Sequence, residues 1–163
     1  MKKLLIILTA FLLFVCQTSL GESIDILGVS PNLILIFSIV YSLDSTNYMA
    51  ILTGCICGLM SDLADNEMVG VSALLMMYIS FGAGIASKKF YYDNKLVGLI
   101  IVFVSSIVFE FSKFFIINLL YNEVSAPVVF FRFVLPGAVY NSILSIPLMW
   151  WINKLKNEYI RGI

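Results

Sequence analysis

The chain contains no histidine and only three cysteines, and these scarcities exclude most of the chemistry that small enzymes use. Without histidine, the commonest general base and a common neutral metal ligand are both missing. Cys16, Cys55 and Cys57 all lie inside apolar runs, where we expect them to pack as small apolar side chains. The sequence therefore predicts no cofactor, no metal site and no catalytic centre of the Ser/His/Asp or Cys/His type.

Charged residues are also scarce. They make up 12% of the 163 residues, whereas 61% are hydrophobic and the mean hydropathy is +1.01. Ordinary soluble domains carry about 25% charged residues. Ten basic and ten acidic residues cancel, so the net charge gives no indication of a nucleic-acid partner. This composition predicts an integral protein of the lipid bilayer.

Six apolar segments can be placed as membrane spans, and no repeat or linker divides the chain. They cover residues 3–20, 29–43, 47–63, 70–87, 96–121 and 130–151. Because about 20 apolar residues cross a bilayer core as a helix, we predict an all-α membrane protein with six transmembrane helices in one bundle, a single domain of residues 1–163. The first segment also fits a secretory signal peptide cleaved after Ser19 or Gly21, although its long apolar run favours a retained helix.

Basic residues fall almost entirely in one set of alternate connecting segments. That set contains Lys2, Lys3, Lys88, Lys89, Lys95, Lys154, Lys156 and Arg161. The opposite set contains only Arg132. Since cytoplasmic segments of membrane proteins are enriched in Lys and Arg, both termini are predicted to lie in the cytoplasm. The acidic corner, which we define as Asp62, Asp65 and Glu67, is then predicted to face outward.

Small and turn-forming residues indicate where helices meet. Gly54 and Gly58 lie one turn apart on the third predicted helix, so a neighbouring helix can approach them closely. This face predicts either a partner interface or a tight contact within the bundle. Pro31 opens the second span, where its missing N–H would have no helical partner in any case, and Gly70 opens the fourth. Asn141 is predicted to form a hydrogen bond between helices, as is Asn118.

Two groups of charged residues are candidate functional sites. Glu110 and Lys113 are three residues apart on one face of the fifth span, with Ser106 one turn earlier. Charges inside a bilayer are expensive, which favours an ion pair that fixes the helix, with ligand or coupling roles as the alternative. The acidic corner resembles part of a divalent-metal site, but it lacks a neighbouring Arg, His or phosphate loop. We therefore expect it to be a solvated turn.

Several short patterns, taken in order, resemble the bacterial rod shape-determining protein MreD family. They are Pro31-Asn32-Leu33 at the second span, Gly54-x-x-x-Gly58-Leu-x-x-Asp62 on the third, and Gly70-x-x-Ala73-Leu74 at the fourth. Gly82, Gly84, the Lys88-Lys89 pair and Tyr140-Asn141 are also similar to that family. The resemblance covers most of the chain in length and in the number and order of its spans.

The resemblance implies a noncatalytic subunit of the cell-elongation complex in the bacterial inner membrane, with a fold similar to the substrate-binding subunits of energy-coupling-factor transporters. The implied partner is an MreC-like periplasmic scaffold. Through that scaffold the chain would meet a glycosyltransferase, a class B penicillin-binding protein and the actin-like MreB. Two alternatives remain at this point. One is a transporter subunit of the same fold that binds a vitamin-like solute, and the other is an intramembrane enzyme that uses a metal at the acidic corner.

Overall fold

A computed structural model describes residues 2–20, 30–65, 69–90, 95–121 and 130–157. In these ranges the chain forms six α-helices and no β-strand, and a π-helical turn, Phe130–Val134, leads into the last helix. The helices are α1 (Lys2–Leu20), α2 (Leu33–Leu43), α3 (Asn47–Asp65), α4 (Val71–Lys89), α5 (Lys95–Tyr121) and α6 (Leu135–Asn157). The predicted all-α membrane bundle is confirmed.

The helices differ in how far they can reach across a bilayer. Among the residues that the structure describes, four stretches are long and apolar enough to span it, and they are Asn47–Ala64, Val71–Lys89, Leu96–Ile116 and Arg132–Leu155. The second helix is shorter than the predicted span of residues 29–43, because the α-helix occupies only Leu33–Leu43. At 1.5 Å per residue its length is about 16 Å, roughly half of the hydrocarbon core. The helix is short for a local reason: Asn32, immediately after Pro31, is its N-cap, so the helix begins only at Leu33.

The short helix α2 lies at the centre of the bundle. It contacts each of the other five helices, and every side chain from Ile34 to Val40 is at most 2% exposed. A helix that is apolar on all sides is stable only where it is buried on all sides. The hydroxyls of Ser38 and Ser42 donate to the carbonyls of Leu35 and Ser38 at 2.9 and 2.6 Å, so their burial leaves no unpaired hydroxyl proton.

The first helix, α1, covers one side of α2 and exposes its other face. Ile6, Ala10, Leu13 and Phe14 pack against the buried core. On the opposite face, five large apolar side chains are between 43% and 66% exposed, and they are Leu5, Ile7, Leu8, Phe11 and Leu12. In a bilayer this outer face meets lipid, as the charge-poor first span predicts.

One end of the bundle joins the α2–α3 turn to the end of α4. The Ser87 hydroxyl donates to the Leu43 carbonyl at 2.6 Å, and Lys88 Nζ donates to Asn47 Oδ1 at 2.6 Å. We call this the basic end and define it by the turn at residues 44–46 together with Lys88 and Lys89. The two connecting segments that the charge pattern assigns to one side of the membrane therefore lie side by side.

Proline shapes the entry to the last helix. Pro136 has no N–H to donate to the carbonyl of Arg132, and its ring would crowd that carbonyl in an α-helical turn. The residues before it, Phe130–Val134, form a wider π-helical turn, which relieves this crowding. Pro147 lies inside α6, and the helix continues through it to Asn157.

Candidate functional site at two buried helix N-termini

The carboxylate of Asp62 caps the N-terminus of α4 from the preceding helix. Its Oδ2 accepts hydrogen bonds from the backbone N–H of Gly70 at 2.7 Å and of Ala73 at 3.4 Å. Its Oδ1 accepts from the N–H of Ser72 at 3.0 Å. The first N–H groups of a helix lack partners within the helix and carry a partial positive charge, so a carboxylate satisfies them well. Asp62 thereby ties the end of α3 to the start of α4.

Gly70 makes this cap possible through its backbone conformation. Its φ is +108°, in the left-handed region that side chains disfavour, and a Cβ at this position would meet nothing within 4 Å. The restriction is therefore torsional rather than steric. The prediction that Gly70 begins the fourth helix finds its physical reason here, because this conformation brings the Gly70 N–H to the Asp62 carboxylate.

The expectation that Asp62 belongs to a solvated turn is wrong. The residue is 1% exposed, and its oxygens are occupied by the backbone of α4. The expectation failed because an acidic residue near a helix end was interpreted from its neighbours in sequence, whereas its environment is set by a helix whose N-cap, Gly70, lies eight residues later. The side chains of Asp65 and Glu67 lie outside the described residues. Among the described residues, no three His, Cys, Asp or Glu side chains form a cluster that could hold a metal.

Gly54 and Gly58 allow the backbones of α3 and α4 to touch. A Cβ on Gly54 would lie 2.5 Å from the Met76 carbonyl oxygen, and a Cβ on Gly58 would lie 2.5 Å from the Ser72 carbonyl oxygen. Real Cβ atoms do not approach so closely, so a side chain at either position would push the helices apart. Of the two interpretations that the sequence left open, the structure shows the contact within the bundle. α4 occupies the face on which a partner would have docked.

A second helix N-terminus, that of α2, is buried among neutral side chains from three other helices. The N–H of Asn32 donates to Asn141 Oδ1 on α6 at 3.0 Å, and the N–H of Ile34 donates to Gln17 Oε1 on α1 at 3.1 Å. Asn32 Oδ1 accepts from the N–H of Leu35 at 2.9 Å. Asn141 also donates to the Ser106 hydroxyl on α5 at 3.4 Å. The predicted interhelical role of Asn141 thus involves α2, α5 and α6.

Ser106 belongs to this node and lies one turn before the charged pair on the same face of α5. Ser106 is fully buried, whereas Glu110 and Lys113 are each partly exposed. Lys113 Nζ lies 5.9 Å from the centre of the Phe109 ring, within the range of a cation–π contact. At 1.5 Å per residue the pair lies about 6 and 10 Å along the helix from Ser106. The ion-pair interpretation of Glu110 and Lys113 stays a prediction.

Gln17 was not predicted as part of any site. A glutamine inside an otherwise apolar run is a signal in its own right, since polar groups in membrane helices usually face a protein partner. The partner, however, could not be named from sequence, because it is a backbone N–H at the start of another helix. Asn32 carried a second available signal, since an asparagine between a proline and an apolar run is typical of an N-cap.

The fold and these two caps define a multi-pass α-helical membrane protein in which buried Asp62, Ser87 and Asn141 join helices. In the described ranges only the hydroxyls of Ser72 and Ser80 are buried without a partner. The family model of the rod shape-determining protein MreD matches residues 1–159, nearly the whole chain. The chain belongs to the MreD family. No curated protein and no solved structure matches it.

Membership of this family confirms the resemblance and gives the chain a role in rod shape determination. The implied likeness to substrate-binding subunits of energy-coupling-factor transporters stays a prediction. At the two helix N-termini the described polar side chains accept hydrogen bonds from backbone N–H groups.

Proposed function

We propose that this chain is a noncatalytic integral subunit of the bacterial cell-elongation complex and maintains cell shape by binding an MreC-like scaffold in the inner membrane. The observation that carries the proposal is the family match over residues 1–159. Through the scaffold it would act on a glycosyltransferase, a class B penicillin-binding protein and the actin-like MreB. The lipid bilayer is its environment, and no nucleic acid is involved.

The buried polar groups support a structural role. Asp62 has the burial and charge that many catalytic carboxylates have, but three backbone N–H groups of α4 already occupy its two oxygens. Asn141 similarly bridges the backbone of α2 and the Ser106 hydroxyl. Groups held in this way resist rearrangement, because an unpaired buried polar group destabilises the fold by about 1–3 kcal/mol. Their arrangement suits a rigid bundle that presents surfaces to partners.

The partner contact would lie on a surface other than Gly54 and Gly58, since α4 covers those residues. The outer face of α1 and the exposed face of α3 are both available. On α3 the exposed apolar side chains include Leu52, Ile56, Leu59 and Leu63, which are 40–65% exposed. A single membrane-spanning helix could pack along either face by van der Waals contact.

The proposed orientation, with both termini in the cytoplasm, rests on the distribution of basic residues. Reporter fusions after Asp44, Lys89 and Ile163 should give a cytoplasmic signal, and fusions after Asp25, Asp65 and Glu123 should give an external one. A cytoplasmic signal after Asp65 would contradict the six-span topology, because Asp62 and Lys88 lie at opposite ends of the α3–α4 hairpin.

The function is tested by depleting the protein in its native host. Depleted cells should widen or become round, and a tagged copy of the chain should recover an MreC-like protein from detergent extracts. A tagged Val139→Ala variant provides a control, because Val139 is exposed on α6 and the variant should restore rod shape fully. If depleted cells keep their shape but lose uptake of one vitamin, and the tagged chain recovers an ATPase instead, the transporter alternative is correct.

A further inference from the structure

An apolar groove runs between α4 and α5 in the half of the bundle next to the basic end. Its volume is about 540 Å³, and on α4 it extends from Ile79 through Gly82 and Ala86 to Phe90. On α5 it extends from Val97 to Val108. Ser105 is the one residue with a polar side chain among those that line it. Gly82 forms an open part of the groove, since a Cβ there would meet nothing within 4 Å.

The length of the groove indicates what kind of molecule fits it. Phe90, just after α4, is eleven positions from Ile79, which corresponds to about 16 Å, the depth of one leaflet of the hydrocarbon core. A transmembrane helix of a partner would need a surface that crosses both leaflets, about 30 Å. The groove therefore matches a lipid chain of the adjacent leaflet better than a partner helix.

The charge at the groove's mouth indicates which lipid fits best. Phe90, which lines the groove, directly follows Lys88 and Lys89, and both lysines are exposed. Lys88 Nζ donates to Asn47 Oδ1 on α3, so its charge is directed toward α3, and Lys89 is the exposed basic residue next to Phe90. Basic residues next to a groove between membrane helices suit an anionic headgroup, and one such residue near the surface contributes about 1 kcal/mol.

We propose that the α4–α5 groove selectively binds one anionic phospholipid of the leaflet at the basic end, with an acyl chain along Gly82 and Ala86 and the headgroup beside Lys89. The bound lipid would fill a surface that the protein leaves open and would couple the stability of α4 and α5 to membrane composition. This inference does not depend on which scaffold the chain binds.

The test uses the full-length chain in detergent micelles, titrated with dioleoylphosphatidylglycerol or dioleoylphosphatidylcholine and followed by native mass spectrometry. The anionic lipid should bind at least fivefold more tightly than the zwitterionic one. Gly82→Phe should remove this preference by filling the groove, whereas Val139→Phe, which places the same ring on an exposed position of α6, should preserve it.

A second pair of variants tests the headgroup contact. Lys89→Gln should weaken phosphatidylglycerol binding by roughly fivefold, as expected for one basic residue near an anionic surface. Lys154→Gln, which removes another exposed lysine, should change it less than twofold. Because Lys89 is exposed, its variant stays informative even if Gly82→Phe fails to fold. Equal binding of the two lipids would overturn the proposal. An unchanged preference for phosphatidylglycerol in Gly82→Phe or in Lys89→Gln would also overturn it. Loss of a co-purifying single-pass membrane protein from Gly82→Phe, with lipid binding unchanged, would instead identify a protein occupant.

Discussion

Two helices of this bundle, α4 and α2, begin in buried surroundings, and the protein caps them by different means. The N-terminus of α4 receives a carboxylate, Asp62, from the helix just before it, eight to eleven residues away in sequence. The N-terminus of α2 receives neutral amides, and its contact with Asn141 joins residues 109 positions apart. One cap is ionic and local, and the other is neutral and long-range.

The positions of the two N-termini explain this difference. Asp62 lies near the end of α3, whereas α2 begins about 16 Å from the basic end, close to the middle of a bilayer core. Placing a charge at the middle of the bilayer core costs far more free energy than placing an amide there. Neutral amides therefore suit the cap of α2, which lies deeper than that of α4. In this account α3 and α4 form a hairpin unit by themselves, whereas the N-terminus of α2 is capped only when α1, α5 and α6 have assembled around it.

The largest loss of stability is expected from a side chain placed where the backbones of α3 and α4 touch. Gly58→Leu should prevent the close approach of the two backbones and leave little folded protein, and even Gly58→Ala should destabilise the bundle by about 1–3 kcal/mol. Unfolding titrations in mixed micelles would measure this. Gly82→Ala on α4 is the matched control and should be nearly neutral, because its added Cβ enters open space. Equal stability of Gly58→Ala and Gly82→Ala would contradict the packing account.

The local, ionic cap should be the next most sensitive feature. Asp62→Ala leaves buried N–H groups at the start of α4 without an acceptor and should lower the free energy of unfolding by about 1.5–3 kcal/mol, the range for hydrogen bonds to charged groups. Asp62→Asn keeps one acceptor oxygen and should lose about half as much. The same titrations would distinguish them. A harmless Asp62→Ala would show that the carboxylate does not hold α4.

The long-range, neutral cap should contribute less. Asn141→Ala should destabilise the bundle by about 1–2 kcal/mol, since hydrogen bonds between membrane helices are individually modest. Ser106→Ala should have a smaller effect, because its bond to Asn141 is 3.4 Å long. If Asn141→Ala lowered the free energy of unfolding more than Asp62→Ala did in the same titrations, the ranking of the two caps would be reversed.

The smallest and most informative effect concerns the charged pair on α5. Glu110→Ala alone should reduce the amount of folded protein more than Glu110→Ala with Lys113→Ala, since the single change leaves a charge without compensation in a medium of low polarity. Because both side chains are partly exposed, the difference should be about 1 kcal/mol or less. Quantitative blots of membrane fractions would detect it. A double variant as poor as the worse single one would indicate a binding role.

The sequence predicted the helices well and the contacts between them poorly, for physical reasons. Hydropathy and segment length located all six helices, because the thickness of the bilayer core sets the length of the apolar runs that form membrane helices. The length of α2 was overestimated because hydropathy does not register a cap such as Asn32. The burial of Asp62 depended on Gly70, whose positive φ no periodicity reveals. Gln17 and Asn141 were recognisable as polar residues in apolar helices, but their common partner, the N-terminus of α2, is defined only by the packed bundle.

The central claim is that the buried polar groups of this protein hold helices together and carry out no reaction. The most direct measurement is the width of cells that lack the native chain and express Asp62→Asn, with its membrane level adjusted to that of the wild type. We predict rod-shaped cells of normal width, because asparagine still accepts a hydrogen bond from α4 and the bundle is present in full amount. Wide or round cells at that matched level of folded protein would contradict the claim and would indicate that the Asp62 carboxylate itself has a chemical role.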